Sequence, residues 1–434
     1  MQALLSFDDG PPISAPLRFF VTAPVFAMAA GLLLLWAGPD LYASRWTPTA
    51  LAFTHLITVG FMMQVMLGAM QQLLPVMAGA NIHRPLRVAT LVHAALTLGG
   101  TLLAAAFLFG RPLLFGAAVA SLGLGVVGFV TAALRALHGV KATSPIIRGL
   151  RMGLLGLCVT VSIGLLNAIS MGWSLGVPLE QLANVHLGWG FVAWGCAILG
   201  AVGFVAVPMF QQTPAYPGWF GRGFAAVAIG VVALWTSAEL TGLRTTATVL
   251  AVGVVLVAAS FALMTLNLQR RSQRPTQDAV QRLWRVAMLC ALAACGLWLL
   301  SRVPGLLAPW SGWPLLFGAL LLVGGFMSVI LGMLYKIVPF LVWLHLQNLG
   351  AGRLMAPNVK KVLDERHIHG QMRAHFAALS LLLASVLWPQ WLAYPAGVAL
   401  VLSNAWLLRN LLSALQVYRT HLAKLDALGP RPQR

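Results

Sequence analysis

The chain alternates long apolar runs with short gaps that hold most of its polar residues. A bilayer core takes about 20 apolar residues per helix. Twelve runs reach or approach that length: 17–38, 47–79, 88–109, 112–136, 150–173, 181–209, 218–241, 246–268, 279–303, 312–344, 373–390 and 392–415. Only the stretch from Pro389 to Tyr394 is left for a turn between the last two, so eleven helices are the alternative count. Helices two, six and ten are the longest, at roughly 29 to 33 residues, and each must tilt strongly or project beyond the hydrocarbon. No Pro- or Ser-rich linker divides the chain. The pattern predicts an all-α integral membrane protein with one polytopic domain over 17–415, between a short segment 1–16 and a basic tail 416–434.

Composition names the solvent. The chain is 59% hydrophobic and 9% charged, against about 25% charged in soluble domains, so the lipid bilayer is its first partner. A net charge of +19 would suit nucleic acid if the basic residues clustered on one water-exposed face. They sit instead in gaps between apolar runs, which argues against a nucleic-acid partner and reports orientation. The gaps after helices two, four, six, eight and ten, with the helix ends that flank them and the C-terminal tail, carry 22 of the 28 Lys and Arg, among them Arg84, Lys141, Arg222, Arg270, Lys360 and Lys361; the other side has Arg45, Arg111, Arg244 and Arg302. Both termini are therefore expected in the cytoplasm, with helices two, six and ten running inward. Asp8 and Asp9 with no basic n-region argue against a cleaved signal peptide. Cys158, Cys196, Cys290 and Cys295 lie inside apolar runs without CxxC spacing and read as small core residues.

The three long helices share a pattern. Helix two has Gly60-Phe61, Gly68 and Pro75; helix ten has Gly325-Phe326, Gly332 and Pro339; helix six has Gly190-Phe191, Gly200 and Pro208 with looser spacing. The period is four helices, which predicts three pseudo-repeated four-helix arcs. Glycine and proline are also frequent in membrane helices simply for packing.

Seven histidines, His83, His138, His345, His367, His369, His375 and His421, fall in or beside the expected cytoplasmic segments and read as mostly solvated. His93 lies near the inner end of helix three, where backbone carbonyls are its expected partners. His55 and His186 lie within the first three turns of helices two and six and share a depth. Intramembrane ionisable residues are costly and face a protein interior or a cavity. Neutral imidazole suits haem iron and copper, and a bis-His haem takes one ligand from each of two facing helices. Both residues are thus candidate haem or metal ligands, against a structural role satisfied by a neighbouring helix. Met62, Met66 and Met70 form a thioether stripe, either a soft site for Cu(I) or flexible packing. Gln71 and Gln72 are expected to face the bundle interior and Lys336 to snorkel to the inner boundary. Glu239, near the outer end of helix seven, reads as a proton carrier or as the ion-pair partner of Arg244.

The run His55-x4-Gly60-Phe61-x6-Gly68-x6-Pro75-x3-Gly79 resembles the helix-two signature of NnrS-type membrane proteins, haem- and copper-containing proteins associated with nitric oxide metabolism in denitrifying bacteria. The segment Pro16 to Phe20 is similar to the start of those proteins, and the helix-ten glycine run to their late helix. The resemblance extends to the haem-copper oxidase catalytic subunit, with twelve helices, cytoplasmic termini and a haem-ligating His in the outer part of helix two. It implies a bacterial inner-membrane protein holding haem b on His55, with copper as a second possible cofactor. Two departures stand out. Phe53-Thr54-His55 replaces the family's usual His-x-His, and helix seven offers Trp235, Thr236 and Ser237 where oxidases place a His pair. A complete oxygen-reducing centre is not expected. The rival functions are a transporter of copper or a small solute through the bundle interior, and a cofactor-free partner subunit.

Overall fold

The computed structural model describes residues 10–141, 144–307, 310–350 and 354–428, and every regular element among them is helical. Twelve helices are long and apolar enough to span: Ser14–Ala43, Pro48–Ala78, Pro85–Phe109, Pro112–Leu137, Pro145–Trp173, Leu179–Gln211, Gly218–Leu240, Arg244–Arg270, Ala279–Leu300, Trp313–Gly350, Glu365–Leu387 and Pro389–Ala427. Lipid offers the backbone no partners, so helices that bond internally are what such a sequence can form. The doubtful turn is real: Trp388 leaves helical geometry at φ −129° and ψ 64°, and Pro389 restarts the helix at a position that needs no N–H. Helix eleven starts earlier than its apolar run, because Asp364 caps it by accepting from the Arg366 N–H. Helix twelve carries the basic segment from 416 on to Ala427, giving it 39 residues.

Each long helix contains one π-helical segment: Leu56–Met63 in helix two, Trp189–Cys196 in helix six and Leu320–Met327 in helix ten. Pro75, Pro208 and Pro339 each lie nineteen positions after the first residue of their segment. The threefold repeat is therefore present in backbone geometry, and it corrects the register suggested by the Gly-Phe pairs. The structural counterpart of Gly60 is Gly324, not Gly325, and in helix six it is Ala193, not Gly190. The physical reason is close packing on the preceding helix. A Cβ at Gly60 would collide with the Phe26 ring of helix one, and a Cβ at Gly324 would lie 2.7 Å from Cys290 Sγ of helix nine. In the middle arc the roles are exchanged, since Gly156 of helix five makes room for the Ala193 carbonyl. Helices six and ten meet at this level through stacked Phe191 and Phe326, with centroids 6.0 Å apart.

Toward the inner end, Lys336 reaches the cap of helix nine and is held there by an ion pair. Its Nζ lies 3.0 Å from Asp278 Oδ2, which also takes Arg274 Nη1 at 2.5 Å. Asp278 caps helix nine through the Gln281 N–H at 2.9 Å. Burial alone would raise the Asp278 pKa, but the Gln281 N–H, Lys336 and Arg274 outweigh it and hold the carboxyl below its ordinary value.

Three histidines depart from expectation, one of them His345, which is half-buried with its ring nitrogens at the Leu341 and Pro11 carbonyls. His93 Nε2 pairs with the Thr22 hydroxyl at 2.8 Å rather than with a carbonyl. His375 is not solvated: it is fully buried, with Nε2 2.8 Å from Ser328 Oγ, because helix eleven begins ten residues before it and carries it into the bundle.

Candidate functional site

His55 ends the first α-helical stretch of helix two, immediately before the π-segment. That stretch is fixed at its start by Thr47, whose Oγ1 accepts from the Ala50 N–H at 3.1 Å, and by Pro48 in the first turn. The imidazole Nδ1–H donates to the Leu51 carbonyl, 2.8 Å away in the preceding turn, and the ring packs on Phe107 with centroids 4.9 Å apart. His186 lies three residues before the π-segment of helix six, and its Nδ1–H donates across to the Thr160 carbonyl of helix five at 2.9 Å. Gly164, one turn further along helix five, leaves the room: a Cβ there would lie 2.8 Å from His186 Cε1. A carbonyl only accepts, so each ring carries its proton on Nδ1 and offers the Nε2 lone pair. Neither Nε2 has a hydrogen-bond partner among the described residues.

Both rings line one cavity of about 640 Å³, within the size range of ligand and cofactor sites. The walls come from helices two and six to eleven and include Phe191, Val192, Trp235, Phe261, Trp298 and Phe326. Tyr42 joins the lining and pairs with Ser385 Oγ at 2.5 Å.

Polar groups gather at the end where helices two, six and eight begin. Arg45, Arg244 and Arg302 line the cavity there, with Glu239 and Asn184. Arg45 Nη2 bonds Asn184 Oδ1 at 3.2 Å and reaches Glu180 Oε1 at 3.4 Å. Arg302 lies over the Trp298 ring at 4.4 Å. Burial lowers the pKa of both guanidiniums, opposed by Glu180 at Arg45 and by Glu239 at Arg302; Arg at these positions stays a cation. Glu239 makes no ion pair with Arg244 among the described residues. Its backbone carbonyl instead accepts from Gln181 Nε2.

The structure thus brings His55 and His186 together. It does not bring the methionines to them: Met62, Met66 and Met70 are 1%, 9% and 0% exposed, pack in the core and do not line the cavity. Gln71 and Gln72 are buried as expected, and neither lines the cavity. Among the described residues no three His, Cys, Asp or Glu side chains come together as a metal cluster. Sequence reasoning placed Arg45, Arg244 and Arg302 on the sparsely charged side without seeing that they converge. The signal was available, since these are three of four cations on that side and each lies at a helix end. Thr160 left no signal, because it acts through its backbone carbonyl.

No protein-family model matches the sequence, and no curated relative matches it. A solved structure does: the cryo-EM structure of a haem-copper terminal oxidase dimer is similar with a TM-score of 0.58, covering 97% of this chain and 85% of the oxidase chain at 9% identity. The chain has the fold of a haem-copper oxidase-like membrane protein.

Proposed function

We propose that this protein is a bacterial inner-membrane haem protein, NnrS-like in role, serving nitric oxide or respiratory stress metabolism without a complete oxygen-reducing centre. The observation that carries the reading is the matched pair of imidazoles. Each is held by a backbone carbonyl on Nδ1, and each presents an unpartnered Nε2 to the same cavity. A carbonyl on the far nitrogen fixes the tautomer and orients the ring, as the outer partner of a ligating histidine does. An imidazole kept only for packing has no need of an open Nε2.

The rest of the cavity fits the same occupant. Haem has a flat apolar body and two carboxylates, and the site has apolar and aromatic walls with Arg45, Arg244 and Arg302 at one end. In this reading His55 and His186 would hold the iron, and the arginines would offer the carboxylates partners that match them in geometry and charge. When bound, haem supplies a redox-active iron able to take diatomic ligands. Copper is the second candidate cofactor, and the thioethers of Met62, Met66 and Met70 are the soft donors that would hold it. The full-length protein purified in detergent tests the main reading. The expected spectrum has a Soret band with resolved α and β bands on reduction, and a colourless, folded protein overturns it. Metal analysis of the same sample reads copper directly.

A further inference from the structure

Behind the cavity wall, between helices ten, eleven and twelve, lies a group of buried side chains whose donors are bonded and whose acceptors are not. Gln371 and His375 are 0% exposed and Asn404 is 1% exposed. Gln371 Nε2 donates to the carbonyl and hydroxyl oxygens of Ser403, both at 3.3 Å, and Asn404 Nδ2 donates to the Leu400 carbonyl at 2.9 Å. Those carbonyl partners fix which end of each amide is nitrogen. Gln371 Oε1 and Asn404 Oδ1 have no partner, and neither has His375 Nδ1.

The imidazole's polarity is also fixed. Ser328 directly follows the π-segment of helix ten, and its hydroxyl donates to the Val323 carbonyl at 3.3 Å. It therefore accepts from His375 Nε2–H at 2.8 Å, which leaves the lone pair on Nδ1. Gln371 and His375 are one turn apart on the same face of helix eleven, where side chains are neighbours. Two acceptors cannot satisfy each other, and leaving them buried and unpaired costs as much as a lost hydrogen bond.

We propose that a resident water molecule bridges Gln371 Oε1 and His375 Nδ1, donating one hydrogen to each. It completes a chain from helix eleven through His375 and Ser328 to the carbonyl of Val323, a residue that lines the cavity. The rival donor is a proton on Nδ1, making an imidazolium that bonds Gln371 directly. No carboxylate bonds either ring nitrogen of His375 among the described residues. An unpaired buried cation is far more costly than one ordered water.

The test is nitrogen-15 solid-state NMR of full-length, histidine-labelled protein in lipid bilayers, with the His375 signal assigned by its loss in His375→Gln. The expected result is a ring protonated at Nε2 alone, with Nδ1 hydrogen-bonded and correlated to exchangeable water. Gln371→Leu leaves the imidazole in place, and it is expected to lose the water correlation while keeping the Nε2 proton. Protons on both nitrogens, a bare Nδ1 without water contact, or a water correlation that survives Gln371→Leu would each overturn the proposal.

Discussion

His186 Nδ1 lies 2.9 Å from the carbonyl oxygen of Thr160 on the neighbouring helix. The aim of this imidazole is therefore set by the packing of helix six on helix five, and Gly164 is what allows the approach. Gly164→Ala puts a methyl group 2.8 Å from His186 Cε1, and the ring must shift. The expected cost is about 1–3 kcal/mol of overpacking, together with loss of haem or a change to a high-spin spectrum. Gly128→Ala enters open space and should change neither. Absorption spectra and thermal melts of the two variants check this.

The ligand assignment predicts a sharper contrast. His55→Ala and His186→Ala should each remove the haem or convert it from low to high spin. His345 bonds the Leu341 and Pro11 carbonyls and lines no part of the cavity, so His345→Ala should leave the spectrum intact, as should His367→Ala. A folded His55→Ala protein with unchanged haem content and spectrum defeats the assignment. A low-spin spectrum in His186→Ala moves the second ligand elsewhere.

Asp278 predicts an acid limb in the stability profile. Its carboxyl is held below its ordinary pKa in the folded protein, so its stabilising effect is present above the unfolded value of about 3.9 and is lost as pH falls through the folded value. Asp278→Asn keeps a capping oxygen and loses the pairs with Lys336 and Arg274. It should cost about 1 kcal/mol near neutral pH and progressively less below pH ~4, and Asp278→Ala should cost about 1 kcal/mol more through the lost cap. Melting temperatures in detergent across pH give both differences.

Orientation is tested separately. A reporter fused after Arg434 should read cytoplasmic, and one inserted near Pro178 should read periplasmic. The opposite result would reverse the inner and outer ends assigned to the cavity and its arginines.

The sequence was most informative where lipid sets the rule. The twelve helices follow from apolar run length, since an uninterrupted apolar run of that length spans a bilayer as a helix. The boundary missed at helix eleven lay in the polar stretch from Glu365 to Met372, where a capping aspartate rather than hydropathy decides the start. That error also misplaced His375. The repeat was legible through its prolines, which sit at a fixed offset, and misaligned through Gly-Phe pairs, because in the middle arc the close approach is provided by a glycine on the other helix. His55 and His186 were found because an imidazole inside a membrane is rare. What orients them was hidden, since Leu51 and Thr160 act through carbonyls that every residue possesses.

The wide turn ahead of Gly60 has a consequence for how the long helices keep phase. A π-turn takes in an extra residue, so the stretches on either side are out of step by one position, which is about 100° of rotation on an α-helix. In helix two the inner stretch is anchored by Gly68, packed against Phe19 and Phe20, while the outer stretch ends at His55. Deleting one residue between Leu56 and Met63 would let the helix run straight through. The deletion should leave both the inner half and the imidazole close to their present bearing, because it removes the residue that the wide turn absorbs, whereas straightening the undeleted helix would swing the imidazole through about a quarter of a turn, away from the cavity it now faces.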